Sequence, residues 1–327
     1  MKMKRILPLL VASSLSWPVG FLCQPIQLWA ARQSDAAHTD DAHGHGQKRH
    51  RVDCDQAPTG ALHKAIARAD PGDTLIVTGT CHEHVTVPVD KNSITLDGSG
   101  TAAISGSDPA QPTVLVRGRD VTIRGFTVTG GLVGIAVRDG GSGRIDGNVV
   151  SDAEVYGVSV SVLATATIVN NTLQHNGQAG IAVAENGNAF IGFVDSTDLV
   201  ASPNLISGNG TQGIVVGRNS YARIVGNDIS QNTANGLLVR EASHALVTDN
   251  VINGNGQSGI GVQQGSGVIL GAGGDTIFTR PNTTTINNGA FGIRCQIAGF
   301  TDGRLGGLNG ASGAESHVEG CVNSLIP

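Results

Sequence analysis

Residues 236–260 read GLLVREASHALVTDNVINGNGQSGI. Apolar residues arrive in short bursts of two to four, and Asn, Gly and Ser fill the gaps between them. Alternation in GLLV puts Leu237 and Val239 on one face and Leu238 on the other; in HALV it pairs Ala245 with Val247. Ile252 supplies one more inward residue beside an Asn turn. The stretch therefore predicts three short strands separated by sharp corners. One such unit cannot bury its own apolar face, so units must stack.

The rest of the chain supplies the stack. Gly-led strands begin at 134, 157, 180, 213, 236, 259 and 292, with steps of 23, 23, 33, 23, 23 and 33 residues. Nine residues before these glycines stand Asn148, Asn171, Asn204, Asn227, Asn250 and then Thr283; four residues before stand Ala153, Asn176, Asn209, Asn232, Asn255 and Asn288. Stacked strands lie about 4.8 Å apart, so like residues fall above like residues. The asparagines then form ladders, each amide donating to one coil and accepting from another. Asn and Gly also suit corners that need left-handed backbone.

Composition agrees with an all-β solenoid. The 327 residues include 47 Gly without a three-residue period, which excludes collagen, and 39% hydrophobic residues, which excludes a disordered chain. A net charge of −5 offers no basic footprint for nucleic acid.

Lys2, Lys4 and Arg5 precede an apolar core over Ile6–Leu15, the layout of a signal peptide (1–31). No other segment is apolar for long enough to predict a membrane span. Residues 32–52 form a polar linker with His38, His43, His45 and His50, and residues 53–327 the repeat domain. Export to an oxidising compartment, outside the cell or in a periplasm, makes Cys54–Cys81 and Cys295–Cys321 the simplest disulfides, one at each end of the repeats. Thr59–Ala69 carries Leu62, Ala65, Ile66 and Ala69 on one helical face, with Thr59 as the expected cap. That helix suits a lid over the first coil, whose open edge would otherwise invite aggregation. Insertions within 189–210 and 267–289 predict two loops on the same side of the stack, three coils apart.

The run GDTLIVTGTCHEHVTV, then NSITLDGSG, then seven Gly-led coils with Asn corners resembles right-handed parallel β-helix proteins of the pectate-lyase-like superfold, over roughly residues 53–327. The resemblance implies a single-stranded right-handed parallel β-helix. It does not fix an activity, because that superfold holds pectate lyases, polygalacturonases, methylesterases, alginate lyases and epimerases as well as proteins without known catalysis. The catalytic runs of those enzymes are absent here, so no catalytic residue carries over. Calcium enters only as an implication of the resemblance.

Column geometry supplies the candidates instead. Glu185, Arg218 and Glu241 share one column just past the Gly-led strand; Asn188, Tyr221 and His244 share another three residues on. Arg218, Tyr221, Arg240, Glu241 and His244 therefore form the candidate catalytic patch. Arg218 or Arg240 would neutralise a uronate carboxylate and ease removal of the C5 proton, with Tyr221 or His244 as base or acid, as lyase and C5-epimerase chemistry both require. An exposed salt-bridge ladder accounts for the same residues. Three functions thus stand open: binding or modification of an acidic polysaccharide, a non-catalytic surface or periplasmic scaffold, and a metal-handling role suggested by the His-rich segment.

Overall fold

A computed structural model describes residues 47–194, 200–271, 280–316 and Cys321. All belong to one compact unit, Gly46–Pro327. The expected signal peptide, most of the linker and the tips of both insertions lie outside the described residues.

The chain winds as a parallel β-solenoid. One sheet of the described residues holds ten parallel strands, one per coil, including Ile181–Val183, Ile214–Val216, Leu237–Val239, Ile260–Gln263 and Ile293–Gln296. The second and third strands of each coil, such as His244–Thr248 and Val251–Asn253, join a continuous sheet of 17 strands. Register is column-true: Ile214 pairs with Leu237, and Leu237 with Ile260. The inward residues Ile214, Leu237, Val239, Val247, Ile252 and Ile260 are fully buried, so the core is one apolar column along the axis.

The asparagine ladders form as the spacing predicts, with one correction. The first runs through 148, 171, 204, 227 and 250, each side-chain oxygen accepting from the backbone and amide nitrogens of the Asn before it at 2.8–3.1 Å. It then continues to Asn282, not Thr283: Asn250 donates to Asn282 Oδ1 at 3.1 Å and 2.9 Å. Thr283 bridges Val251 instead. The second insertion displaces the first ladder by 32 residues and the second, from Asn255 to Asn288, by 33. Fixed 33-residue spacing thus misplaces the rung by one position.

The leading glycines serve close packing rather than left-handed turns. A Cβ on Gly236 would fall 2.7 Å from Ile252 Cγ2 and 2.8 Å from the Gly259 carbonyl oxygen of the next coil, at a φ that is not positive. Left-handed residues are instead paired at the following corner: Glu185–Asn186, Arg218–Asn219 and Glu241–Ala242, with φ of 55–61°. Backbone bonds between coils hold these corners, Asn186 N donating to Arg218 O and Asn219 N to Glu241 O at 3.2 and 3.0 Å. They offset a conformation that costs roughly 1–2 kcal/mol per non-Gly residue.

At the N-terminal end the helix spans Ala61–Arg68 and buries Leu62 and Ile66. Its cap differs from the expectation at Thr59. Gly60 is the N-cap residue, left-handed at φ 79° and without a side-chain bond. The first-turn N–H groups are satisfied from a distance: Glu83 accepts from Leu62 N at 3.0 Å and His63 N at 3.1 Å. The first described strand is Arg49–Asp53, most of which falls within the segment 32–52 expected as linker. It pairs in parallel with Thr74–Thr78. Behind it the buried Asp73 accepts from Lys48 N and Asp70 N at 3.0 Å each, and His50 Nε2 lies 2.8 Å away. Both expected disulfides form, with Cα separations of 5.0 Å for Cys54–Cys81 and 4.9 Å for Cys295–Cys321.

Candidate functional site

The outward face of the Gly-led sheet carries Ala136, Ser159, Ala182, Val215, Leu238, Gly261 and Arg294, one per coil in register. Small residues here let the flanking corners rise above the strands. Ala182, Val215 and Leu238 are consequently buried although they point away from the core, and Tyr156 packs against them. Along this floor lies a groove with two adjoining cavities of about 230 and 460 Å³. Arg240 lines both.

The first cavity gathers Arg138, Arg218 and Arg240 with Glu185 and Glu241, beside Tyr156 and Ser161. The left-handed corners explain the arrangement, since they aim consecutive column residues along the axis. Arg218 donates to Glu185 at 2.7 Å and lies 3.6 Å from Glu241, while Arg240 Nε is 3.5 Å from the other Glu241 oxygen. The column of alternating charge therefore exists, and it edges a groove. The sequence columns showed the charges and not the cleft beside them.

The candidate patch divides across the corner. Arg218, Arg240 and Glu241 meet in the groove. Tyr221 and His244 begin the second strand, are exposed, and line neither cavity. They are register partners. The His244 ring meets the Phe300 ring edge-on at 6.0 Å. Between groove and second strand runs a buried serine ladder: Gly187 N donates to Ser220 Oγ, Ser220 N to Ser243 Oγ and Ser243 N to Ser266 Oγ, at 3.1–3.2 Å. Sequence reasoning passed over it, although each of these residues stands seven after a leading glycine. It also passed over Arg294, the seventh member of the outward column, and over Tyr156.

The second cavity differs in chemistry. Its walls are amides and hydroxyls, among them Asn235, Gln257, Ser258, Gln263 and Gln296, with Arg240 and Arg294 as its charged members.

With fold and groove defined, similarity to known proteins becomes informative. A family profile described as "Periplasmic copper-binding protein (NosD)" matches residues 91–279, more than half of the chain. The chain belongs to the NosD family. No curated protein matches it. Among solved structures, the chain is similar to the pectate lyase Pel9A at TM-score 0.56 and 15% identity, covering 86% of this chain and 78% of that one. The enzymatically active domain of tailspike protein 2 from bacteriophage CBA120 gives TM-score 0.60 and 13% identity, over 84% of this chain and 46% of that one. A double mutant of the periplasmic alginate epimerase AlgG gives 0.51 and 16%, over 86% and 73%. At these identities the likeness is one of fold.

The NosD description invites a test of the donor set. Among the described residues, Cys54, Cys81 and Glu83 form the one group of three metal-capable side chains close enough to share an ion. Both sulfurs are bonded to each other, and the Glu83 carboxylate accepts from the helix N-terminus. A copper ion needs deprotonated thiolate or imidazole donors, and this group does not provide them. His50 is directed to Asp73. His84 has Nδ1 2.8 Å from Pro112 O and accepts the Asp108 N–H through Nε2 at 3.0 Å.

Proposed function

We propose that this NosD-family protein is an exported β-solenoid that binds an extended acidic polysaccharide along the groove of its Gly-led sheet. The carrying observation is the groove itself. It passes Arg138, Arg218, Arg240 and Arg294 over six coil steps of about 4.8 Å, roughly 29 Å in all. Its apolar floor of Ala182, Val215 and Leu238 suits the hydrophobic faces of sugar rings; its arginines suit carboxylates; its amides suit hydroxyls. Two disulfides and the family's periplasmic description support export. No described helix is long and apolar enough to cross a membrane. The pectate lyase and alginate epimerase of like fold act, by their names, on acidic polysaccharides.

Binding is favoured over lyase or epimerase chemistry because Tyr221 and His244, the proposed base and acid, stand outside the groove. Copper binding is the second reading and rests on the family description; the described donor set does not favour it.

The test is affinity electrophoresis through gels containing polygalacturonate, alginate or a neutral glucan, repeated at rising salt. Retardation by the acidic polymers alone, weakening with salt and lost in Arg240→Ala, is expected. Equal mobility in every gel would overturn the reading. Absorbance at the wavelength of unsaturated uronates in the same mixtures reports lyase activity, and copper titration of the folded protein tests the family description directly.

A further inference from the structure

The two halves of the groove hold charge in different ways, and the difference locates the anion seat. In the first cavity Arg218 is bracketed by Glu185 and Glu241, and Glu241 also approaches Arg240. A guanidinium already flanked by two carboxylates gains little from a third anion. Among the described residues, the second cavity is lined by Arg240 and Arg294 and by no carboxylate. Arg294 donates, among the described residues, to a neutral partner, the Gln296 side-chain oxygen, at 2.9 and 3.3 Å in the amide orientation that satisfies both groups. Arg240 Nε is shielded from solvent and, among the described residues, makes no hydrogen bond, its nearest anion being Glu241 Oε1 at 3.5 Å.

The outward column shapes the space between them. Its residues run Leu238, Gly261, Arg294 on successive coils. Gly261 leaves a depression, and Leu238 Cδ1 and Asn235 Nδ2 reach within 3.2 and 3.3 Å of where its Cβ would sit. Leu238 gives the depression an apolar edge. Gln257, Ser258, Gln263 and Gln296 line the same cavity. Neutral amide donors beside two guanidinium groups can satisfy every lone pair of a small planar or tetrahedral oxyanion without bringing a competing negative charge.

We propose that the Arg240–Gly261–Arg294 depression is the specificity-determining subsite of the groove and seats one oxyanion substituent of a sugar, a carboxylate or a sulfate ester. The first cavity holds the chain by its rings and hydroxyls, its Arg218 being already paired with Glu185 and Glu241. This inference rests on the groove being a glycan site and goes beyond it, because it transfers anion recognition from the Glu185–Arg218–Glu241 column to a neighbouring set of residues.

Isothermal titration with three oligosaccharides of similar length tests it: an oligogalacturonate, a sulfated cello-oligosaccharide and its unsulfated parent. Arg294→Gln and Gln296→Glu are the variants, the second placing a carboxylate beside Arg294 without removing any side chain from the core. Each should weaken binding of the preferred anionic ligand at least tenfold, and by clearly more than Arg218→Gln does. The tighter of the two anionic ligands identifies the substituent. Arg218→Gln matching or exceeding the loss in Arg294→Gln would overturn the assignment, as would binding of the unsulfated parent as tight as that of either anion. If the wild-type protein bound none of the three, the glycan reading itself would fall. Circular dichroism of each variant confirms that the solenoid is intact.

Discussion

Replacing Asn227 by Ala removes one interior rung of the first ladder, and its cost can be worked bond by bond. The side chain is 1% exposed. Its Nδ2 donates to Ile191 O at 3.1 Å, Val225 O at 3.0 Å and Asn250 Oδ1 at 3.0 Å, and its Oδ1 accepts from Asn204 N at 3.1 Å and Asn204 Nδ2 at 2.8 Å. Asn204 Nδ2 keeps a second acceptor in Ile168 O, but the Asn204 backbone N–H is orphaned inside the stack. An orphaned buried donor costs about 1–3 kcal/mol, and the two Nδ2 hydrogens, shared among three acceptors, lose about 1 kcal/mol each net, so the expected loss is about 3–5 kcal/mol. Asn227→Asp sharpens the test. It keeps an acceptor for Asn204 but aims a carboxylate at three oxygens, and so should be worse than Ala at pH 7 and recover as acid protonates it. Asn148→Ala, at the start of the ladder with three side-chain bonds, should cost less. Urea unfolding followed by far-ultraviolet circular dichroism reads all three. A loss below about 1 kcal/mol in Asn227→Ala, or an Asp variant more stable than the Ala variant at pH 7, would refute the ladder as a store of buried, satisfied amides.

Two further perturbations bear on the frame. Gly236→Ala places a methyl 2.7–2.8 Å from Ile252, Asn255 Nδ2 and the Gly259 carbonyl, mostly fixed atoms; urea titration should show it less stable by roughly 1–3 kcal/mol, and an unchanged midpoint would show that the coils separate easily. For Asp73, burial pushes the carboxyl up, but hydrogen bonds from Lys48 N, Asp70 N and His50 outweigh it and hold it below its ordinary 3.8. Stability from this lowered group is present above the unfolded value and lost as pH falls through the folded one. Thermal melts between pH 6 and 2 should therefore fall less steeply for Asp73→Asn than for the wild type, and parallel curves would contradict the assignment.

Periodicity made the scaffold legible. Column counting from the leading glycines placed the ladders and the three strands per coil, because stacking turns sequence offsets directly into neighbours in space; the capping helix was legible from its own apolar face, and the disulfides from the position of the cysteines at the two ends of the repeats. It failed where neighbours come from elsewhere in the chain. Glu83, not Thr59, caps the helix, and nothing local to 59–69 encodes that. Asn282 replaces Thr283 because the second insertion is shared unequally between two segments of its coil. The candidate patch was half legible for a related reason. Offsets gave the column of Arg218 and Glu241 correctly, but not that the corner turns between Glu241 and His244, which sends the two groups to different faces. The groove depends on the absence of bulk at Ala182, Val215 and Gly261, and small residues leave little signal in a search for chemistry. Arg294 stands at the end of the same outward column, after Gly261.

The ladder also makes the molecule tolerant of a particular kind of genetic accident. Asn204, Asn227 and Asn250 are equivalent rungs 23 residues apart. Excision of one 23-residue period between Asn204 and Asn250, or its duplication, would present each remaining rung with an identical partner. A change of 22 or 24 residues would turn every following side chain out of register unless a corner loop absorbed the difference, as the second insertion does before Asn282. Length can therefore vary in whole coils at small energetic cost. The groove, written as residues on successive coils, would lengthen or shorten by one sugar-sized step each time, so the reach of the binding face and the stability of the scaffold can change independently.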